Sequence, residues 1–169
     1  MNVLVLPPFN AAQKTVLEAG APGATFVYSD YHSATDEQIA AADVIVGNLS
    51  PKRLDKATHL QLLQLNSAGY DNYAAAETLP RGARVCCAVG AYGQAVSEHI
   101  FAMVLAMIKR LPAYHTDQLS HTWSDHGPVT SLRGARVLVM GTGDIGTHFA
   151  QLCRAMGANV TGIRRSAAD

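Results

Sequence analysis

A chain of 169 residues is long enough for one ordinary domain, or for one small domain and part of another. Hydrophobic residues at 49% and charged residues at 15% exclude a disordered tail. Thirteen basic side chains against thirteen acidic ones leave no net charge to recruit nucleic acid or anionic lipid.

The chain opens Met1-Asn2-Val3-Leu4-Val5-Leu6 and then meets Pro7-Pro8. With no basic segment before it, this short run reads as a buried first strand, not a secretory leader. A helix is expected over residues 11–19, a second strand over 25–28, a short helix over 36–42 and a third strand over 44–46. After Asn48-Leu49-Ser50-Pro51 a helical turn leads to a fourth strand within 60–65, and 84–88 makes a fifth. Strand and helix alternating through short polar joints predict an α/β fold, a parallel sheet with helices on both faces. Cys86 and Cys87 are neighbours, which on a strand point to opposite faces and cannot easily bridge. With Cys153 they make an odd set, so a reducing, cytoplasmic setting is expected.

From 95 to 111 the apolar positions Val96, Ile100, Met103, Val104, Met107 and Ile108 recur at helical spacing and predict the longest helix, ending near Pro112. Its apolar stretch, residues 100–108, is far shorter than the roughly 20 residues that span a bilayer, so no membrane partner is expected. Residues 114–132, with Trp123, Gly127 and Pro128, read as a polar, extended connection. A new unit then begins: strand 136–140, helix 145–156, strand 159–163. The predicted division is 1–108 for the first domain and 109–169 for a partial second one.

Between the strand and the helix of that unit lies Gly141-Thr142-Gly143-Asp144-Ile145-Gly146. The first glycine permits a tight turn, the second lets a pyrophosphate approach the backbone, and the third lets helix and strand pack closely. The helix N-terminus offers free N–H groups and the positive end of its dipole to the phosphates. As a bare pattern this is as good a turn as a site; the flanking strand, helix and strand favour dinucleotide binding. About 20 positions on, NAD-binding proteins carry an acidic residue for the ribose hydroxyls. Here Arg164-Arg165-Ser166 stand instead, with no carboxylate until Asp169. Guanidinium groups pair with a 2′-phosphate, so NADP is expected over NAD, unless both arginines are plain solvated surface.

Taken together, Asn66-Ser67-Ala68-Gly69-Tyr70-Asp71, Val96-Ser97-Glu98-His99, Trp123 and the stretch 132–165 resemble the D-isomer-specific 2-hydroxyacid dehydrogenases, glyoxylate/hydroxypyruvate reductases among them. The resemblance implies a flavodoxin-like substrate domain, then the first strand-helix-strand unit of a Rossmann domain. It implies that backbone amides at Ser67, Ala68 and Gly69 grip the carboxylate of a small 2-oxo or 2-hydroxy acid, with Asn48 and Leu49 lining the same cleft. Outside that resemblance the 67–69 segment would be read as an ordinary turn. It further implies hydride transfer to or from a nicotinamide cofactor, and a homodimer paired through the region of Trp123. The family's catalytic arginine, glutamate and histidine have no counterpart in these residues, so the chain alone is expected to be inactive.

None of the seven histidines substitutes for the missing acid. His115, His121 and His126 lie in the polar connection without metal-ligand spacing and without an evident partner, and His99 and His148 fall on helices as surface or packing residues. The competing reading is a non-catalytic module that binds a small carboxylate or a nucleotide. A flavodoxin proper is disfavoured, because Pro7-Pro8-Phe9-Asn10 has no glycine and few hydroxyls to cradle a phosphate.

Overall fold

The computed structural model describes residues 1–166 and divides into two compact units, Met1–Val89 and Gly90–Asp169. In the first unit, strands β1 (Asn2–Val5), β2 (Thr25–Tyr28), β3 (Val44–Val46), β4 (Leu62–Gln64) and β5 (Arg84–Cys86) form one sheet in the order β2-β1-β3-β4-β5. Every pairing is parallel, as expected from the alternation of strands and helices, and the order is that of the flavodoxin-like sheets. β1 is buried on both faces, which is why its sequence is a continuous apolar run and not an alternating one. Leu4, Leu6, Ile45, Leu63 and Leu65 from the strand segments pack with Ile39, Leu49 and Leu54 from between them, all almost fully buried.

The helices of this unit are short, and the first two begin at capping boxes. At α1 (Ala11–Ala19) Asn10 accepts from the Gln13 amide and the Gln13 side chain accepts from the Asn10 amide; Thr35 and Gln38 do the same at α2 (Asp36–Ala41). After β3, Gly47 adopts φ +122, and a Cβ there would stand 2.8 Å from the Cβ of Leu6. Only glycine allows the chain to turn out of the sheet so tightly. A 3-10 helix over Pro51–Lys56 follows, and α3 (Asp71–Ala74) comes after β4.

In the second unit, α4 (Gly93–Ile108) packs along α6 (Asp144–Ala155), with Phe101 edge-on to Phe149 at 6.2 Å between ring centroids. The contacts group α4 with this unit, which begins at Gly90. The extended connection expected from residue 114 is corrected. α5 (Leu111–Leu119) occupies its first part, entered through Arg110 at φ 57, with Pro112 in its first turn. Proline there starts a helix at no cost, since its missing N–H would have had no partner in the first turn. Strands β6 (Arg136–Met140) and β7 (Asn159–Ile163) pair in parallel across α6, and Cys153 and Ala150 of that helix are buried.

Candidate functional site

The glycine loop leaves β6 at Gly141, whose φ of +94 turns the chain back toward α6. The Gly141 amide donates to the Ile163 carbonyl at 2.8 Å, extending the β6–β7 ladder by one bond. Residues leaving β7 therefore run beside the loop. A Cβ on Gly146 would collide with the Gly141 carbonyl oxygen, whereas one on Gly141 or Gly143 would meet nothing within 4 Å. The third glycine is thus required by packing, and the first two face open space. Thr147 ties the loop down, its amide donating to the Gly143 carbonyl at 2.9 Å and its hydroxyl to the Thr142 carbonyl at 3.3 Å.

Gly143 is the cap of α6 and has no side chain to satisfy the first amides of the helix. Those donors and the dipole end have the chemistry that suits an anion near Asp144, Ile145 and Gly146. An open glycine cradle before uncapped amides fits a dinucleotide's diphosphate. Arg164, Arg165 and Ser166 follow β7 and are all exposed, and neither guanidinium forms an ion pair among the described residues. Asp169, the nearest following acid in the sequence, lies outside the described residues.

In the first unit, Ser67, Ala68 and Gly69 form the bend between β4 and α3. Their backbone amides donate to no protein acceptor among the described residues, and Ala68 and Gly69 are exposed. The bend is held from behind: Ser67 Oγ donates to the Gly69 carbonyl at 2.9 Å, and the Ala88 amide donates to the Ser67 carbonyl at 2.9 Å. Asn48 Oδ1 accepts the Asn66 amide at 3.0 Å, so Asn48 braces the bend. Leu49 is different. Its side chain is 2% exposed and belongs to the core, so it lines no surface; the chain turning at Gly47 carries it inward.

The histidines of the connection are not all without partners. His126 Nε2 lies 2.8 Å from Asp117 Oδ2, and its ring stands edge-on to Tyr114 at 4.9 Å between centroids. Partial burial opposes ionisation of Asp117, but hydrogen bonds from His126 and Ser124 outweigh it and hold the carboxyl below its ordinary range. Residues nine apart across a helix end leave no periodic signal, which is why this pair escaped the sequence. Among the described residues no group of three or more His, Cys, Asp or Glu side chains is placed to hold a metal, and no helix is long and apolar enough to cross a membrane. All three cysteines are free.

A parallel sheet of flavodoxin order, followed by a strand, an open glycine loop and a helix, defines an α/β protein of the dinucleotide-binding class. Residues 101–169 match the NAD-binding domain of the D-isomer specific 2-hydroxyacid dehydrogenases. A solved D-isomer specific 2-hydroxyacid dehydrogenase family protein from Aeromonas salmonicida is 29% identical, with a TM-score of 0.85 over 99% of this chain and 55% of that one. A glyoxylate/hydroxypyruvate reductase of Arabidopsis thaliana is 27% identical over 75% of this chain and 41% of its own length. The NADPH-dependent glyoxylate/hydroxypyruvate reductase of Sinorhizobium meliloti, solved with NADP and sulfate, shares the fold at 24% identity and a TM-score of 0.75, over 99% of this chain and 54% of that one. The chain is similar over residues 101–169 to the NAD-binding domain of the D-isomer specific 2-hydroxyacid dehydrogenases, and it shares the fold of a solved member of that family. It spans less than half of that curated relative and just over half of the solved ones.

Proposed function

We propose that these residues form part of an NAD(P)-dependent oxidoreductase that moves hydride between a nicotinamide cofactor and a 2-oxo or 2-hydroxy acid such as glyoxylate or hydroxypyruvate. The carrying observation is the glycine loop, open at Gly141 and Gly143 and uncapped at the helix behind it. When bound, the nicotinamide ring supplies or accepts the hydride. In this reading Gly141 to Gly146 hold the pyrophosphate, and the amides of Ser67, Ala68 and Gly69 bind and orient the acid's carboxylate, with Asn48 fixing the bend. No side chain of these residues is assigned the proton transfer. The 169 residues by themselves therefore give no turnover, since a positioned acid or base alone is worth roughly 10²- to 10⁴-fold.

The preferred coenzyme in this proposal is NADP. Arg164 stands where an acidic residue would otherwise meet the ribose, and Arg165 and Ser166 add a second cation and a hydroxyl. The relative from Sinorhizobium meliloti that was solved with NADP makes the choice chemically familiar within the fold. The test is calorimetric titration of the chain with NADPH and NADH, repeated for Arg164→Asp with Arg165→Ala. The wild type should favour NADPH by about tenfold, less at high salt because the contact is exposed, and the double variant should lose that preference. An unchanged ratio would show that the arginines are solvated surface. The protein is further proposed to be cytoplasmic and homodimeric.

A further inference from the structure

The fourth residue of the phosphate-binding loop is an aspartate, a poor neighbour for a diphosphate. Its side chain does not stay with the loop. The Asp144 carboxylate lies against the α-carbon of Gly93, the first residue of α4: a Cβ built on Gly93 would overlap Asp144 Oδ1 and stand 2.7 Å from Asp144 Cγ. The same Cβ would stand 2.6 Å from His148 Nδ1. His148 itself sits 3.4 Å from Asp144 Oδ1 and 2.9 Å from the Asp144 carbonyl oxygen, one turn further along α6.

The first turn of α4 is where a carboxylate is wanted. Tyr92, which precedes it, makes no side-chain bond to its amides, and the turn contains no acidic residue of its own. A negative charge at that end meets unpaired N–H groups and the positive end of the helix dipole. Gly93 is buried, so the space its missing side chain leaves is filled by Asp144 and not by solvent.

We propose that Asp144 is a positioning residue, its carboxylate drawn away from the pyrophosphate loop by the N-terminus of α4, and that Gly93 is the specificity-determining gap that admits it. The arrangement leaves the α6 amides free for the coenzyme's diphosphate while using the aspartate to anchor α4. This rests on the proposed coenzyme reading of the glycine loop, and it assigns that loop's one charge a place outside the binding surface.

The test uses Gly93→Ala, Asp144→Asn and the two combined, each titrated with NADPH by calorimetry at low and high salt. Asp144→Asn keeps the backbone amide that the loop offers the diphosphate and removes only a side-chain charge that does not face it, so it should bind within about threefold of the wild type. Gly93→Ala should weaken binding about tenfold or more by expelling the carboxylate toward the loop, and the loss should shrink as salt rises. Adding Asp144→Asn to Gly93→Ala should restore binding to within about threefold, since the displaced group is then neutral. Tighter binding by Asp144→Asn of tenfold or more, or no recovery in the combined variant, would overturn the proposal.

Amide hydrogen exchange supplies a readout free of coenzyme. Asp144→Asn should speed exchange in the first turn of α4 severalfold, and unchanged protection there would also overturn the docking. If the wild-type chain binds no NADPH, the coenzyme reading of the loop fails by itself, and the exchange measurement alone decides whether Asp144 anchors α4.

Discussion

Asp30, just beyond β2, shows how much one carboxylate can organise. It accepts from the hydroxyl and amide of Ser33 and from the amide of His32, the two amide bonds at 2.9 and 2.7 Å, and these bonds hold its pKa down to about 2. A carboxyl depressed in the folded chain adds stability above its unfolded value near 3.9, and that stability is lost as pH falls through about 2. Asp30→Asn should therefore lower the thermal midpoint at neutral pH, with the difference from wild type closing between about pH 4 and 2. An offset that stays constant across that window would mean that the turn is held by something other than the charge. Cys153 makes a second case. It is fully buried, and burial raises its pKa, while Cys86 is exposed. A thiol reagent applied to the native protein should label Cys86 promptly and reach Cys153 only on unfolding, as read by mass spectrometry of the peptides. Equal labelling of both would show that α6 opens on the timescale of the reagent.

Among the elements, the strands were the most legible. Thr25–Tyr28, Val44–Val46, Arg136–Met140 and Asn159–Ile163 fall where apolar β-branched runs meet polar joints, and α1 spans residues 11–19 as expected. The errors lie where local chemistry has two uses. Pro112 was read as a stop, although proline in a first turn equally starts a helix, and α5 was lost with it. The folding back of the connection was also hidden, because it depends on pairs distant in sequence: Lys109 Nζ to the Thr130 carbonyl at 2.9 Å, Arg110 Nε to the Pro128 carbonyl at 3.2 Å, and Asp117 with His126. Packing can be tested at this scale on β4. Leu63 is completely buried at the middle of the strand, between the partners β3 and β5. Leu63→Ala should cost about 2–5 kcal/mol of unfolding free energy, the range for a buried leucine that leaves a cavity. Val16→Ala on α1, whose side chain is 75% exposed, should change stability by less than about 0.5 kcal/mol in the same denaturant titration.

For the molecule as a whole, the candidate segments of the two units differ in how readable they are. The glycine loop carries its geometry in its spacing: Gly146 packs against the Gly141 carbonyl, and Gly141 and Gly143 face open space. The bend at Ser67 to Gly69 has no such code, and its outward amides depend on Asn48 reaching across from the end of β3, a contact 18 residues apart in sequence. Leu49 is missed for a like reason, since two residues after Gly47 the side chain falls on the core side. Assembly belongs to this scale. Trp123 is fully exposed, and Met107, Leu119 and Leu111 are exposed on or near the same connection. Exposed apolar side chains on a neutral chain favour association over solvation where a complementary surface meets them. Tryptophan is also the residue most often found to anchor interfaces. The connection behind Trp123 is braced by Asp117, His126 and Arg110, so little ordering would be lost on pairing. Light scattering on the purified chain should give a dimer mass, and Trp123→Ser with Met107→Glu should shift it toward monomer with the circular dichroism unchanged. A monomer at high concentration in the wild type would remove the case for pairing, and a dimer indifferent to both substitutions would move the contact elsewhere, the exposed Leu138 and Met140 of β6 being the next surface to change.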